Sequence, residues 1–540
     1  MKRRPPQRIE LGIEDLTKIV ERAASSPLSV DDLAKLRAAV DTLAFLTREL
    51  ESKGASIQRL RHLLFGAKTE TTRSVLGEAA RRAAGRAGQT DRPRKRKGHG
   101  RNGAAAYLGA ERVRVAHASL QPGDTCPDCP RGKVYAQSNP AVLVRVKGMA
   151  PLRATVYEMD RLRCHLCGKV FTAETPAGLG TAKYDETAAS MIGLLKYGAG
   201  LPFHRLAQLE RNLGIPLPAA TQWEVVQRAA SSMVAAYEEL IRQAAQGEVL
   251  HNDDTAMKIL DLTDEARTEA VPGTEAAERT GVFTSGIVAE CGGRRIALFM
   301  TGPKHAGENL AAVLAHRVAD RSPPIQMCDA LSRNTAGEFE AILAACNAHA
   351  RRRYVEVATS FPDECRYVLE TLREVYRTDA RARAEGLSPG ERLRRHQAES
   401  GLRMKQLEDW MAEQIDQHRV EPNSGLGEAI GYMRKHWERL TLFLRVAGAP
   451  LDNNICERAL KKAILHRKNA LFYKTQNGAR VGDIFMSLIH TAELCEANPF
   501  DYLVALQRHT DDLERDPAAW MPWNFTDALE RPATDPVPPS

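Results

Sequence analysis

Leu36, Leu43, Leu50, Ile57 and Leu64 recur at intervals of seven, with Leu33 and Val40 marking a second row early in the same segment. The repeat predicts one long helix over about 31–65, because a seven-residue period keeps a single seam turned toward a partner. Gly54 interrupts it, and an amphipathic helix packed on its own domain would carry the same pattern. Over about 67–105 the periodicity stops, Ala, Arg and Gly dominate, and a flexible arm is expected. Helical periodicity returns over 184–230 and breaks at LGIPLP (213–218). Leu206 and Leu209 precede the break, and Trp223, Val225 and Val226 follow it. Two helices joined by a short Gly-containing turn outline a helix-turn-helix, a shape that ordinary helical hairpins share.

Between 247 and 330 the pattern changes to strands. VLHNDDTAMKIL, GVFTSGIVAE and RRIALFM are short, rich in β-formers and separated by turn residues. A helix over 307–317, the apolar strand IQMCD and a helix over 334–346 are expected next. This βββ-αβα order fits a ribonuclease-H-like α/β core. Residues 361–450 read as helical and highly charged, too long for a loop, and are taken as a helical insertion before a helix over 452–464.

Length and charge refine this outline. A chain of 540 residues implies several domains. The formal net charge is +8, and the segment Lys68–Arg101 alone carries eleven Lys or Arg against three acids. A basic stretch on a nearly neutral body points to a polyanion, with a solvated linker as the plainer alternative. The N-terminus MKRRPPQRIE leads into no apolar leader, and no run approaches the ~20 apolar residues a bilayer span needs. A cytoplasmic protein without a membrane partner is expected.

Cys126-Pro-Asp-Cys129 and Cys164-His-Leu-Cys167 form two CxxC pairs. Each pair sets two thiolates on one side of a tight turn, and two turns complete a tetrahedral cage for structural Zn²⁺. A hairpin of AVLVRVKG with ATVYEMDRLRC would bring the pairs together, and four thiolates leave no open position for catalysis. His165 is an alternative ligand, and four ordinary reduced cysteines the plain alternative.

Cutting or joining DNA calls for two Mg²⁺ (or Mn²⁺) ions held by a few carboxylates on rigid elements. Asp253 lies within a predicted strand, Asp329 ends the strand IQMCD, and Glu457 lies on a helix after the insertion. Taken singly, each has a bland reading. Asp254 competes with Asp253, Asp329 could cap the next helix, and Glu457 could pair with Arg458 or Lys461 at the surface.

RHLLFGAKTE, the CxxC pairs, LPFHRLAQLERNLGIPL with TQW, HNDDT, TGPKHAGENL, CDALSRN, CNAHARRR, NNICERAL with HRKNALF, NPFDYL and MPWNF run in order almost end to end. In this set the chain resembles the DDE transposase of the insertion sequence 66 family of bacterial mobile elements. The resemblance implies that Asp253, Asp329 and Glu457 are the catalytic, metal-binding acids. It implies that His349, Arg351 and Arg352 form a basic motif beside them, with a folding role as the alternative. Asp254 stands where the family commonly has Glu, and CDALSRN is one of its variant forms. Expected DNA contacts are Arg94, Lys95, Arg96, Lys97 and Arg101 in the arm, and Arg205 and Trp223 in the helix-turn-helix. Arg458, Lys462, Arg467 and Lys468 near Glu457 complete them.

The expected fold is thus multidomain α/β. It has a leucine-zipper region (1–66), a basic arm (67–110), a zinc-binding domain (111–180) and a helix-turn-helix region (181–245). A ribonuclease-H-like core in two parts (246–360 and 451–510) follows, split by the helical insertion (361–450) and ending in a tail (511–540). The implied function is cleavage and strand transfer at the element's terminal inverted repeats. Implied partners are element ends and target DNA, a homodimer or higher assembly on DNA, and sister proteins of the same element. The rivals are a catalytically silent DNA-binding regulator derived from a transposase and a nuclease that cuts without joining.

Overall fold

The structure, a computed structural model, describes residues 182–262, 281–337 and 339–531 without a break. Before them it describes 27–37, 112–116, 118–129, 131–136, 150–163, 169–178 and a few further positions. The chain divides into two compact units, Met1–Gly85 with Ala154–Ser540, and Arg86–Arg153. Residues 30–37 are helical. The rest of the heptad segment, and Arg94, Lys95, Arg96, Lys97 and Arg101 of the arm, lie outside the described residues.

A short antiparallel hairpin, β1 (Arg161–Arg163) with β2 (Val170–Thr172), spans the second CxxC pair. Of the hairpin expected between 141–148 and 154–164, most of the first arm (141, 142 and 145–148) lies outside the described residues, and residues 151–160 take no strand. The ladder needs partners on both sides of the CHLC turn, and VFT (170–172) supplies the apolar, β-forming second arm.

Four helices lead into the main sheet: α1 (Glu186–Gly193), α2 (Phe203–Asn212), α3 (Ala219–Ser232) and α4 (Val234–Ala244). A π-helical turn, Leu194–Gly198, follows α1. The buried Gln222 amide donates to the carbonyls of Phe203 and Leu217, tying α3 to the start of α2 and to the intervening turn.

The sheet has five strands: β3 (Val249–Met257), β4 (Val282–Cys291), β5 (Arg294–Gly302), β6 (Ile325–Cys328) and β7 (Ile342–Ala345). Their order is β5-β4-β3-β6-β7. The first three form an antiparallel meander, and β6 and β7 run parallel to β3. Gly292 and Gly293 turn β4 into β5 with φ of 55° and 78°, the left-handed pair a two-residue hairpin requires. Helix α5 (Ala306–Leu314) packs on β3 and β4. The helix expected over 334–346 is absent: a 3₁₀ turn (Ser332–Asn334) and a loop lead directly into β7. Gly337, at φ 66°, breaks any helix there, and Ala344 and Ala345 are buried in the sheet.

After α6 (Asn347–Val357), the insertion folds as α7 (Pro362–Ala384), α8 (Pro389–Glu399), α9 (Gly401–Asp416) and α10 (Gly425–Lys435). Leu369, Leu372, Leu407, Met411 and Ile430 join Met327, Ala344 and Tyr354 in one apolar core, so these helices rest on the β6–β7 side of the sheet. Helix α11 (Asn454–Ala470) returns to β3 and β4, α12 (Gln476–Leu494) lies along β5, and α13 (Pro499–Arg508) follows.

The edge strand β5 is closed by side chains of α12. Asp483, Ser487 and Thr491, four residues apart, accept from the backbone N–H groups of Thr301, Phe299 and Ala297 at 2.7, 2.9 and 3.1 Å. These N–H groups face away from β4 and would otherwise be buried without partners. The segment expected as a tail is built into the molecule as far as residue 531: Trp520, Met521 and Phe525 are buried, and Tyr502 donates to the Trp520 carbonyl.

Candidate active site

The register of two strands sets the first pair of acids. β3 and β6 pair in parallel, with Val249 beside Ile325 and His251 beside Met327. The ladder ends there; Asp253 follows two residues on along β3, and Asp329 comes just past the end of β6. Asp253 is opposite Gly286 on the antiparallel neighbour β4. A Cβ at 286 would fall 2.9 Å from Leu460 of α11, so only glycine lets this helix lie so close over Asp253. The Cys456 thiol fixes that approach by donating to the Gly286 carbonyl at 3.1 Å. Glu457 follows it on the first turn of α11, half-buried.

The electrostatics reflect this crowding. Burial pushes the Asp253 carboxyl up to about 7, and the charges of Asp329, Asp254 and Glu457 act in the same direction. The Asp254 N–H, donating to Asp253 at 2.8 Å, only partly opposes the shift. Glu457 Oε1 and His349 Nδ1 are both buried without hydrogen-bond partners and stand 3.7 Å apart, too far for a good bond to each other. The unpaired Glu457 oxygen, with the charges of Asp253 and Asp329 nearby, suits a cation, but these three carboxylates do not all lie within 4.8 Å of one another. Cys346 Sγ lies within 4.8 Å of ligand atoms of His349 and Glu457. Burial pushes this thiol up to about 12, so it would have to give up its proton to join a cation there.

Asp254 points the other way along the pleat. It bonds His305 Nδ1 at 2.9 Å and stands 3.7 Å from the Arg333 guanidinium. His305 caps α5, and its ring packs against Phe283 with centroids 4.2 Å apart. Asp254 is therefore engaged in holding α5 and the 329–335 loop, and Asp253 is the acid turned toward α11.

A set of buried amides that the sequence reading passed over holds the three acidic segments together. Asn252 donates to the Asn334 carbonyl at 2.7 Å and accepts from Gln326 at 2.9 Å. The Asn334 amide donates to Asp329 Oδ1 at 2.5 Å, which the Leu331 N–H also reaches at 3.2 Å. Asn453, just before α11, donates to the Asn252 carbonyl at 3.0 Å and lies 3.2 Å from His251 Nδ1. Its own N–H donates to the Cys346 sulfur. The available signal was four amides inside or beside otherwise apolar strands, since a buried amide must be bonded.

The basic residues divide into two groups. His349, Arg352 and Arg353 from α6 and Lys435 from α10 line a cleft of about 530 Å³ that Asp329 also lines. Arg351 faces a neighbouring groove with Arg373 and Arg377. Arg205, Arg458 and Lys468 are exposed. Lys462 is engaged by Glu493 at 2.9 Å, and Arg467 donates to Thr255 at 3.1 Å and to the Ala256 carbonyl, fastening the end of β3. Trp223 is half-buried and lines a pocket with residues of α11 and the following loop.

Cys126 and Cys129 sit on a tight turn: the Cys126 N–H donates to the Gly132 carbonyl, and the Gly132 N–H to the Cys129 carbonyl, both at 2.8 Å. Cys164 and Cys167 lie outside the described residues. No described helix is long and apolar enough to cross a membrane.

The profile of a family described as "Transposase IS66 family" matches residues 182–481, a span containing Asp253, Asp329 and Glu457 but none of the CxxC cysteines. "Uncharacterized protein y4jD" of Sinorhizobium fredii (strain NBRC 101917 / NGR234) is 28% identical over 360 residues, covering 64% of this chain and 66% of that protein. "Uncharacterized protein y4hP" of the same organism is 25% identical over 437 residues, covering 77% and 75%. The chain thus spans just under two thirds of the first relative and three quarters of the second.

Proposed function

The chain belongs to the IS66 transposase family, and on that premise we propose that it is a DDE-type DNA transposase of a bacterial insertion sequence. On this reading it binds terminal inverted repeats and carries out Mg²⁺-dependent strand cleavage and strand transfer with Asp253, Asp329 and Glu457. The observation that carries the proposal is the convergence of β3, the end of β6 and the first turn of α11, which brings the charges of Asp329 and Glu457 to bear on the buried Asp253 carboxyl. The strand order, an antiparallel meander extended by two parallel strands, supports a ribonuclease-H-like core.

The reaction is two in-line displacements at phosphorus. A water oxygen replaces the 3′ oxygen at the element end, leaving a 3′-OH, and that oxygen then replaces the bridging oxygen of a target phosphodiester. Neither step needs a covalent protein–DNA link. Asp253, Asp329 and Glu457 would hold two Mg²⁺ (or Mn²⁺) ions, which when bound supply an activated oxygen and relieve charge on the leaving oxygen. Asn334 keeps Asp329 turned to the site. Arg352, Arg353 and Lys435 line the adjoining cleft, where guanidinium forks and an ammonium suit phosphate oxygens. Zn²⁺ is proposed as structural at Cys126, Cys129, Cys164 and Cys167. The remaining proposed partners are target DNA, a second copy through the N-terminal zipper, and sister proteins of the element.

Glu457→Gln protein should bind end DNA and yet cut it at least about 100-fold more slowly with Mg²⁺, since a lost metal ligand weakens the site at least as much as a lost outer-sphere partner. Gel analysis of labelled strands reads this directly, and cleavage at the wild-type rate would sink the assignment of Glu457. Wild-type protein that binds the ends but cuts nothing would favour the silent regulator.

A further inference from the structure

A second cavity, of about 520 Å³, opens between the starts of α2 and α3 and the end of α11. Its wall begins at the π-helical turn, which places the adjacent Lys196 and Tyr197 both in the interior. Such turns are frequent at functional sites. No carboxylate pairs with Lys196 among the described residues. Its ammonium instead lies 4.9 Å from the Phe203 ring centroid and 5.8 Å from that of Tyr197. Burial lowers this lysine to about 8.

Tyr197 continues a nearly parallel stack that runs Phe485, Tyr197, His466, Tyr473, with interplanar angles of 13°, 18° and 16°. His466 is 2% exposed, and neither ring nitrogen has a partner; the buried Tyr473 hydroxyl has none either. An ordinary core does not keep an imidazole and a phenol unsatisfied in one place, because each costs free energy. Phe203, Trp223, Phe472 and the exposed Lys474 line the rest of the cavity. Both helices that frame it start after a proline, and no side chain caps either one, which leaves first-turn amides available to an anion.

We propose that this cavity is a nucleotide site that takes one unstacked base of a DNA strand between its aromatic walls, with the adjoining phosphate on Lys196, Lys474 and the two helix starts. The inference rests on the DNA-transposase reading and adds a subsite to it. Aromatic faces accept any base by stacking, and an unpaired lysine accepts the charge that follows it. Position supports the same occupant. His466 lies nine residues beyond Glu457 on α11, about 14 Å at ~1.5 Å per residue. That distance is about four stacked nucleotides at ~3.4 Å each, and fewer if the strand is unstacked. Arg467 fastens this part of α11 to Thr255, two residues past Asp253, so cavity and acids ride on the same rigid elements.

The test is photocrosslinking of the full chain to a duplex with three unpaired nucleotides at one end, one of them 5-iodo-2′-deoxyuridine, with the linked peptides mapped by mass spectrometry. Links to Phe203, Trp223, Phe472 or Tyr473 are expected. Trp223→Ala and Lys196→Met, each first shown to melt like wild type, should each weaken binding of the forked duplex about tenfold or more. Links confined to other surfaces, or unchanged affinity in both variants, would overturn the proposal. So would equal labelling by free 5-iodo-dUMP at the same concentration, which would make this a site for free nucleotides. Wild-type protein that cuts DNA while linking elsewhere defeats the cavity alone. Wild-type protein that binds no DNA defeats the transposase reading with it.

Discussion

Asn334 spans two jobs with one side chain and one carbonyl: its amide holds Asp329, and its carbonyl receives Asn252 and Gln326. Asn334→Ala should keep the carbonyl bonds and lose the grip on Asp329, lowering Mg²⁺-dependent cleavage roughly 10- to 100-fold, as for other partners of metal-binding groups. Initial rates across a Mg²⁺ titration would check this, with the loss expected chiefly as weaker metal dependence. At this scale the sequence was half legible. Period-two alternation says that Asp253 and Asp254 face opposite ways, but not which one faces the site. That choice depends on His305 and Gly286, which reach β3 from other elements. Glu457 is harder still, because its meeting with Asp253 spans some 200 residues, and only the family resemblance singled it out.

The elements themselves were mostly readable where an apolar period was strong: β3, β4, β5, β6, α5 and the break between α2 and α3 fall where the pattern put them. The failure at β7 has a local cause. ILAACNA suits helix or strand equally, and pairing with β6 decided it. Helix α12 carries polar positions that do not face solvent: Asp483, Ser487 and Thr491 close β5. Burial pushes Asp483 up to about 7 against its bonds from Thr301. An acid raised on folding takes up a proton, so its contribution to stability is greatest at low pH and falls as pH rises from about 4 toward 7. Asp483→Asn retains the acceptor for the Thr301 N–H and cannot ionise. Its melting temperature, measured by calorimetry, should gain on wild type from about pH 4 to about pH 7 and level off above that; a constant difference would refute the shift.

For the whole molecule, the prediction concerns the basic arm. If residues 67–110 neutralise about eight phosphates, log K falls with log salt at a slope of roughly −7 from this segment alone. Deleting it should flatten the measured slope by about that amount while leaving Mg²⁺-dependent cleavage at low salt, which separates attraction to DNA from chemistry. The Asn453 clamp has a wider consequence. It anchors the start of α11 to His251, Asn252 and Cys346, so Glu457 takes its position from β3 and not from the preceding helices. Asn347 likewise grips the carbonyls of Leu440 and Leu451, fixing the chain where it returns to the sheet. The two ends of the block over 361–439 are thus pinned to the sheet independently of its interior, so exposed positions on its helices can change, and gain or lose contacts with DNA or protein, without moving the start of α11.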